Sequence, residues 1–434
     1  MIYCGPHLFL VTSDPEVVKD ILTSKLCINK PDLVYDGIAH VIGRGLITLR
    51  GDNWYHERKI YNESFKIGKL QAILPVFNKK MKTLFHNIDE DIKNDKSTPL
   101  FYYTREYTLS ASFETMIGRD LDKVDGDVKE ILLNFSEAAE YASHLASNFI
   151  YLVAFVRKIA EKSIFKKALE VTKGIHQFIS MSQKNYTKLR GTDPSYVPNI
   201  DTPMETLDRA VERNELKLEE ATEGIFQLFI GTFETNSTAL YFALIMLAMH
   251  PKIQERAYKH VCDIFPNNDN GEFVVTYAHL SQLGYLDMIL NETMRVLPIV
   301  PQVGRKVEGG NLKLSNGVVL PEGLRILIDI YSLHRSKDIW GPNAHKFNPD
   351  NFLSSNSMER HPFAFIPFTK GIRSCIGIRY AEYNLKVALA RLIKRYKFSS
   401  DAKMEDLIGE NHIVLQFIHQ PKVTVERRRT ISSE

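Results

Sequence analysis

The sequence predicts a mainly α-helical fold with a small β part. Three observations carry that prediction. Most of the chain falls into long segments whose apolar residues recur every three to four positions, the period of a helix with one buried face. One of these segments, residues 218–249, spans roughly 48 Å at about 1.5 Å per residue, enough to cross the whole molecule. Strand signals concentrate in residues 312–330, where Asn316-Gly317 separates Lys313-Leu314 from Val318-Val319-Leu320 as a hairpin turn would.

In chain order, the first residues read as a strand, and residues 14–22 as a short helix with Asp14 as N-cap and Pro15 at its first position. Residues 31–53 contain glycine and are weakly periodic, so a loop with a short helix is expected. Helices follow at 69–93, 104–117, 127–158 and 159–189. Pro194, Pro198 and Pro203 mark 191–203 as a surface connection. The long helix 218–249 ends at Pro251. A helix carries Leu283, Leu286, Ile289 and Leu290 on its core face, and 324–330 is a strand. A last amphipathic helix follows Cys375, with Ile378, Ala381, Leu385, Ala388, Leu389 and Leu392 at helical spacing.

The 434 residues are 44% hydrophobic and 10% aromatic, enough for a large core, and contain no low-complexity linker or internal repeat. Residues 1–434 are therefore expected to form one domain. The net charge of +3 is too small to make nucleic-acid binding the main business. Four cysteines without paired spacing argue against a disulfide framework and a zinc site. Gly43-Arg44-Gly45 is too little for a dinucleotide loop. The longest unbroken apolar stretch, 239–249, is about half the ~20 residues of a spanning helix.

Chemistry concentrates in four motifs. The first is Phe368-Thr-Lys-Gly371-Ile-Arg373-Ser-Cys375-Ile-Gly377, just before the last helix. A thiol outside a helix N-terminus meets backbone N–H groups and the positive end of the helix dipole, which favour the thiolate. A thiolate is a soft, electron-donating ligand suited to haem iron that must cleave an O–O bond. Gly371 and Gly377 allow tight turns and close approach of backbone to a flat cofactor. Arg373 can pair with a haem propionate, and Phe368 can pack over the porphyrin. The second motif is Gly231-Thr232-Phe233-Glu234-Thr235, a polar interruption in the apolar 218–249 helix. A buried acid and hydroxyls there need a purpose, since unpaired polar burial costs roughly 2–7 kcal/mol. The third is Glu292-Thr-Met-Arg295, neighbours on one helix face, with Phe347-Asn-Pro-Asp-Asn-Phe352 downstream. The fourth is Trp54-Tyr-His-Glu-Arg58, an indole donor and a guanidinium fork at i, i+4.

Together these motifs resemble the cytochrome P-450 family, the haem-thiolate monooxygenases, and the resemblance runs over essentially the whole chain. It looks nearest to the microsomal family-four-like branch of arthropod type. It implies the cytochrome P-450 fold, a long central helix over haem b with the cysteine-ligand loop beneath, and Cys375 as the metal ligand. It implies that Thr235 hydrogen-bonds dioxygen at the iron or a water beside it, with Glu234 helping to relay protons. Trp54, Arg58, Arg305, Phe368, Arg373 and Gly377 are the implied cofactor contacts. Glu292 and Arg295 are implied to lock the segment beneath the haem; Asn351 stands where the family often has Arg. Thr232 departs from a usual second Gly. Gly231 stands where some relatives carry a Glu bonded to the haem, so non-covalent haem is expected. Substrate walls are implied at 34–49, 226–233, 299–303 and 413–415, mostly apolar, for a lipophilic substrate such as a fatty acid, hormone or xenobiotic.

By the same resemblance, electrons come from NADPH through a partner reductase docking on a basic rim of Lys59, Lys66, Lys69, Lys370 and Arg379. The chain is expected to be a monomer with peripheral contact to the endoplasmic reticulum (microsomal) membrane. Microsomal members carry an anchor helix, a proline-rich hinge and a first strand before the point at which this sequence begins, and the reading expects these to be missing here, through truncation or loss. A haem-thiolate isomerase or lyase, or a non-catalytic haem or lipid binder, remains as an alternative.

Overall fold

A computed structural model gives the architecture, and it describes residues 1–4, 7–124, 135–147, 150, 154–163, 165–184, 201–266 and 271–428. Helices α1 (Pro15–Thr23), α2 (Asp32–Ile42), α3 (Gly51–Tyr61), α4 (Leu74–Lys93) and α5 (Leu100–Ser112) precede the central helix α6 (Leu218–Met249). Then come α7 (Gly284–Val296) and α8 (Ile378–Arg395), with shorter helices between. The central helix is an unbroken 32 residues with its middle buried nearly all round, as its apolar sequence demands. It packs chiefly against α5, and also against α7 and α8. The mainly helical fold with a small β part expected from the sequence is present.

The β part is larger than 312–330 alone implied. Strands β1 (Ile2–Cys4), β2 (His7–Thr12), β3 (Gln302–Lys306) and β6 (Arg325–Asp329) form a sheet in the order β1-β2-β6-β3. Strand β2 runs parallel to β6 and β3 antiparallel to it. The hairpin is β4 (Leu312–Lys313) with β5 (Val319–Leu320), and Gly317 turns it at φ +86°. Two further two-stranded ribbons lie near the C-terminus.

Several boundaries differ from the sequence reading for local reasons. Asp14 caps α1 as expected, accepting from the N–H groups of Glu16 and Val17. Residues 31–53 are more helical than their weak periodicity suggested, holding α2 and the start of α3. The helix expected at 69–93 is two helices, because Pro75 begins a new one at α4. That expected at 104–117 starts earlier, at Leu100, and ends in a π-helical turn (Phe113–Ile117) closed by left-handed Gly118. The helix expected at 127–158 is divided into Phe135–Ser147 and Ala154–Lys162, and 159–189 is represented by Lys166–Lys184. Residues 125–134 and most of the 191–203 connection lie outside the described residues.

Candidate active site

A cavity of about 280 Å³ opens between the middle of α6 and the loop leading into α8. Cys375 stands on its wall; Cys27 and Cys262 do not. The loop is fixed by its own backbone: the Cys375 N–H donates to the Phe368 carbonyl at 3.0 Å, and Ser374 N–H to the Gly371 carbonyl at 3.1 Å. Buried His334 accepts the Ile366 N–H on Nε2 at 2.9 Å; burial pushes its pKa down to about 3, so the ring stays neutral and able to accept. Gly371 has φ +76°, and a Cβ there would overlap the Leu22 carbonyl. Its freedom therefore serves a close approach to α1, not to a cofactor as the sequence had suggested. Gly377 does stand on the cavity wall.

The Cys375 sulfur accepts one hydrogen bond, from the Gly377 N–H at 3.3 Å. The Cys375 side chain is exposed on the cavity wall, but the protein packed around the sulfur desolvates it and pushes the thiol up, while that N–H and the Arg58 charge pull it down. Desolvation dominates, so the helix N-terminus alone does not make the thiolate; a bound cation would, since coordination deprotonates a thiol outright.

One end of the cavity is cationic. The Arg373 guanidinium lies 4.3 Å over the Trp54 ring and donates through Nη2 to the Leu49 carbonyl at 2.8 Å. Its other terminal nitrogen, Nη1, is buried without a partner. Arg58 donates to the Ser374 carbonyl at 2.9 Å. Lys30, which the sequence reading missed, joins them on the wall and donates to the Tyr35 hydroxyl at 3.1 Å. Burial, Arg305 and Arg373 together push the Lys30 pKa well down. Arg305 does not reach the wall: it is buried and donates to the Gly304 carbonyl at 2.8 Å, so it acts on the cavity through its charge. This end calls for an anion. A propionate-bearing porphyrin fits it, with the orphaned Arg373 nitrogen, the thiol beyond and apolar walls between.

On the facing side, α6 presents Gly231, Thr232, Thr235 and Asn236. The Thr235 hydroxyl donates to the Gly231 carbonyl at 2.5 Å, and Thr232 bonds the carbonyls of Leu228 and Phe229, both at 3.0 Å. Thr232 also meets the buried Tyr380 hydroxyl. Glu234 departs from its expected position. Its carboxylate turns away from the cavity wall into a two-pronged pair with buried Arg105 of α5, 2.7 Å at each contact. The helix turns each residue by ~100°, so an acid and a threonine adjacent in sequence face different neighbours.

Glu292 and Arg295 form a fully buried pair, 2.7 Å at both contacts. Arg295 donates to the carbonyls of His334, Ala344 and Lys346, and Glu292 accepts from Asn348 N–H and Asn351 Nδ2. Asn351 thus contacts the acid as its position suggested. The substrate walls are partly as expected. Leu46, Ile47, Leu228, Ile299, Val300 and Val303 line the cavity. Residues 413–415 do not, and Phe226, Phe229 and Phe233 pack inward, Phe229 against Phe113. Gln227 fastens the 43–47 segment to α6, accepting Ile47 N–H at 2.9 Å and donating to the Gly43 carbonyl at 2.8 Å.

A family model for cytochrome P450 matches residues 1–425. The chain belongs to the cytochrome P450 family. It is 36% identical to "Probable cytochrome P450 313a4" of Drosophila melanogaster, over 98% of this chain and 86% of that one. It is 33% identical to "Probable cytochrome P450 313a2" of the same fly, over 99% and 86%. It is 30% identical to "Cytochrome P450 4c21" of Blattella germanica, over 93% and 81%. The arthropod-type resemblance stands, and this cytochrome P450 is a haem-thiolate monooxygenase that uses haem b with a cysteine axial ligand.

Proposed function

We propose that Cys375 supplies the axial thiolate, and that this P450 inserts one oxygen atom into a lipophilic substrate using NADPH electrons passed on by a partner reductase. The observation that carries the ligand assignment is the place of Cys375 on the wall of a cavity with a cationic end. Bound haem supplies the iron at which dioxygen is reduced and split. The protein's residues do the rest. Arg58, Arg373 and Lys30 hold the propionate end, with Trp54 stacked beneath Arg373. The Gly377 N–H donates to the sulfur and tempers its charge. Leu46, Ile47, Ile299 and Val303 exclude water and favour an apolar ligand. The balance is one substrate C–H, one dioxygen, two electrons and two protons, giving one hydroxylated product and one water.

The reductase reading needs one correction to the docking rim. Lys66 is paired with Glu63 at 2.6 Å, Lys69 with Asp201 at 2.9 Å, and Lys370 with the Pro362 carbonyl. Lys59 and Arg379 are exposed and better placed to meet an acidic partner. Peripheral association with the microsomal membrane and a monomeric state belong to the same reading. No helix among the described residues is long and apolar enough to cross a membrane.

The test is the reduced carbon-monoxide difference spectrum. Wild type, Cys27→Ala and Cys262→Ala should give the thiolate-type band, and Cys375→Ala should lose it. Retention of the band by Cys375→Ala overturns the ligand assignment. Product formation from a lipophilic substrate only when NADPH and a reductase are both present supports the electron source.

A further inference from the structure

The acid that the sequence places beside Thr235 is engaged elsewhere, so the proton path needs another group. Glu234 is absent from the cavity wall and gripped by Arg105 through two short contacts. Thr235 is on the wall, but its hydroxyl hydrogen is directed at the Gly231 carbonyl, leaving its oxygen as an acceptor. The next residue, Asn236, is also on the wall and only 2% exposed. Its Nδ2 donates to the Thr232 carbonyl at 2.8 Å. Its Oδ1 is buried with no hydrogen-bond partner. The amide cannot be reversed to repair this, because Oδ1 would then face the Thr232 carbonyl, acceptor against acceptor. Two neighbouring side chains therefore offer acceptors, and whatever satisfies them must be an O–H or N–H donor. The smallest such donor that the cavity could hold there is water.

We propose that Asn236 is a positioning residue that holds, on Oδ1, the water through which protons reach the oxygen being reduced. The proposal rests on the haem-thiolate reading above. An amide does not itself give up a catalytic proton. It orients a water that passes one on and is reprotonated from the solvent behind it. Two such transfers, with two electrons from the reductase, complete the split of dioxygen into product oxygen and water. Failure of the transfer leaves the same two electrons and two protons in hydrogen peroxide, with the substrate unchanged.

The test compares wild type with Asn236→Leu, which keeps the volume and removes the acceptor, and Asn236→Asp, which restores an oxygen there and, in its protonated form, still donates to the Thr232 carbonyl through the other. The carbon-monoxide band is read first for each protein. Its absence from wild type would sink the haem reading and this proposal with it, whereas its presence in a variant shows that the variant has folded and loaded, so that a failure there belongs to this proposal alone. The expected result for Asn236→Leu is a fall of about tenfold or more in product per NADPH, matched by peroxide, in line with the ~10²–10⁴-fold effects of lost proton-transfer groups. Its solvent deuterium isotope effect should also change, and Asn236→Asp should recover coupling. A crystal structure of the holoenzyme should place an ordered water on Oδ1. Unchanged coupling and isotope effect in Asn236→Leu overturn the proposal. So does a substrate or haem atom on Oδ1 in place of water.

Discussion

Two glycines of the cysteine loop look alike in the sequence and differ in what they do. At Gly371 the backbone is left-handed and a Cβ would overlap the Leu22 carbonyl, so Gly371→Ala should destabilise the protein by ~2–4 kcal/mol and lower its haem content. At Gly377 a Cβ would meet only the Cys375 sulfur at 3.8 Å, an ordinary contact. Gly377→Ala should fold normally and change only the haem spectrum. Thermal melts and haem-to-protein ratios of the two variants separate the cases.

A third residue sets a pH dependence. Glu57 is buried beneath Tyr61, whose hydroxyl donates to it at 2.7 Å. Burial raises its pKa to about 7, against Tyr61's hydrogen bond and with help from Glu220 and Glu223. The folded pKa exceeds the unfolded one, so the folded state keeps a proton that the unfolded state has released. The stability this gives is fully present below about pH 4.5 and lost as pH rises through 7. Glu57→Gln should therefore match wild type near pH 4.5 and exceed it at pH 8, by up to about 3 kcal/mol at ~1.4 kcal/mol per pH unit. Urea unfolding at both pH values reads this, and equal gains at the two would refute it. The place of Cys375, Trp54, Arg58 and Arg373 at one site was legible because each sits in a short motif, and all four line the cavity. Lys30, Arg105 and Asn236 were not, because their roles depend on partners or a cavity that only folding assembles; Arg105 is 129 residues from Glu234.

Among the elements, α6 was the most legible. Its bounds were readable because apolar residues surround its middle and Pro251 begins the next helix. The helices before it were less so. Pro75 restarts a helix within an unbroken amphipathic pattern, and the π-helical turn after α5 comes without a proline or glycine inside it. The Arg105–Glu234 pair joins α5 to α6 with both side chains at most 5% exposed. Removing one partner strands a buried charge, so Arg105→Leu or Glu234→Leu alone should cost ~3–5 kcal/mol. The double variant should recover much of that loss, because neither charge is then left without its opposite. Denaturation of the four proteins of this cycle measures the coupling, and additive losses would mean that the two side chains do not depend on each other.

For the molecule as a whole, reductase docking is an electrostatic question. If Lys59 and Arg379 steer an acidic partner, Lys59→Glu with Arg379→Glu should slow the first electron transfer several-fold at low salt and leave substrate binding intact. The difference should shrink as salt rises, since exposed charges are screened over ~8 Å at physiological ionic strength. Stopped-flow reduction across a salt series tests this, and equal rates and salt slopes would remove this face from the docking site. Lys66→Glu should matter less, because Glu63 already offsets that charge.

The cationic end of the cavity has a consequence for the life of the protein in a cell. Lys30, Arg305 and Arg373 repel one another, and burial adds to the cost of each charge. A dianionic porphyrin held there would relieve that strain and so link cofactor loading to folding, because a ligand that binds only the native state raises its population by mass action. Iron or porphyrin scarcity should then lower the amount of this protein through faster proteolysis of the empty chain, rather than leave a standing reserve of inactive enzyme. Pulse-chase half-lives with and without a haem-synthesis inhibitor would reveal the link, and Lys30→Met, with one fewer repelling charge, should lengthen the half-life of the starved chain.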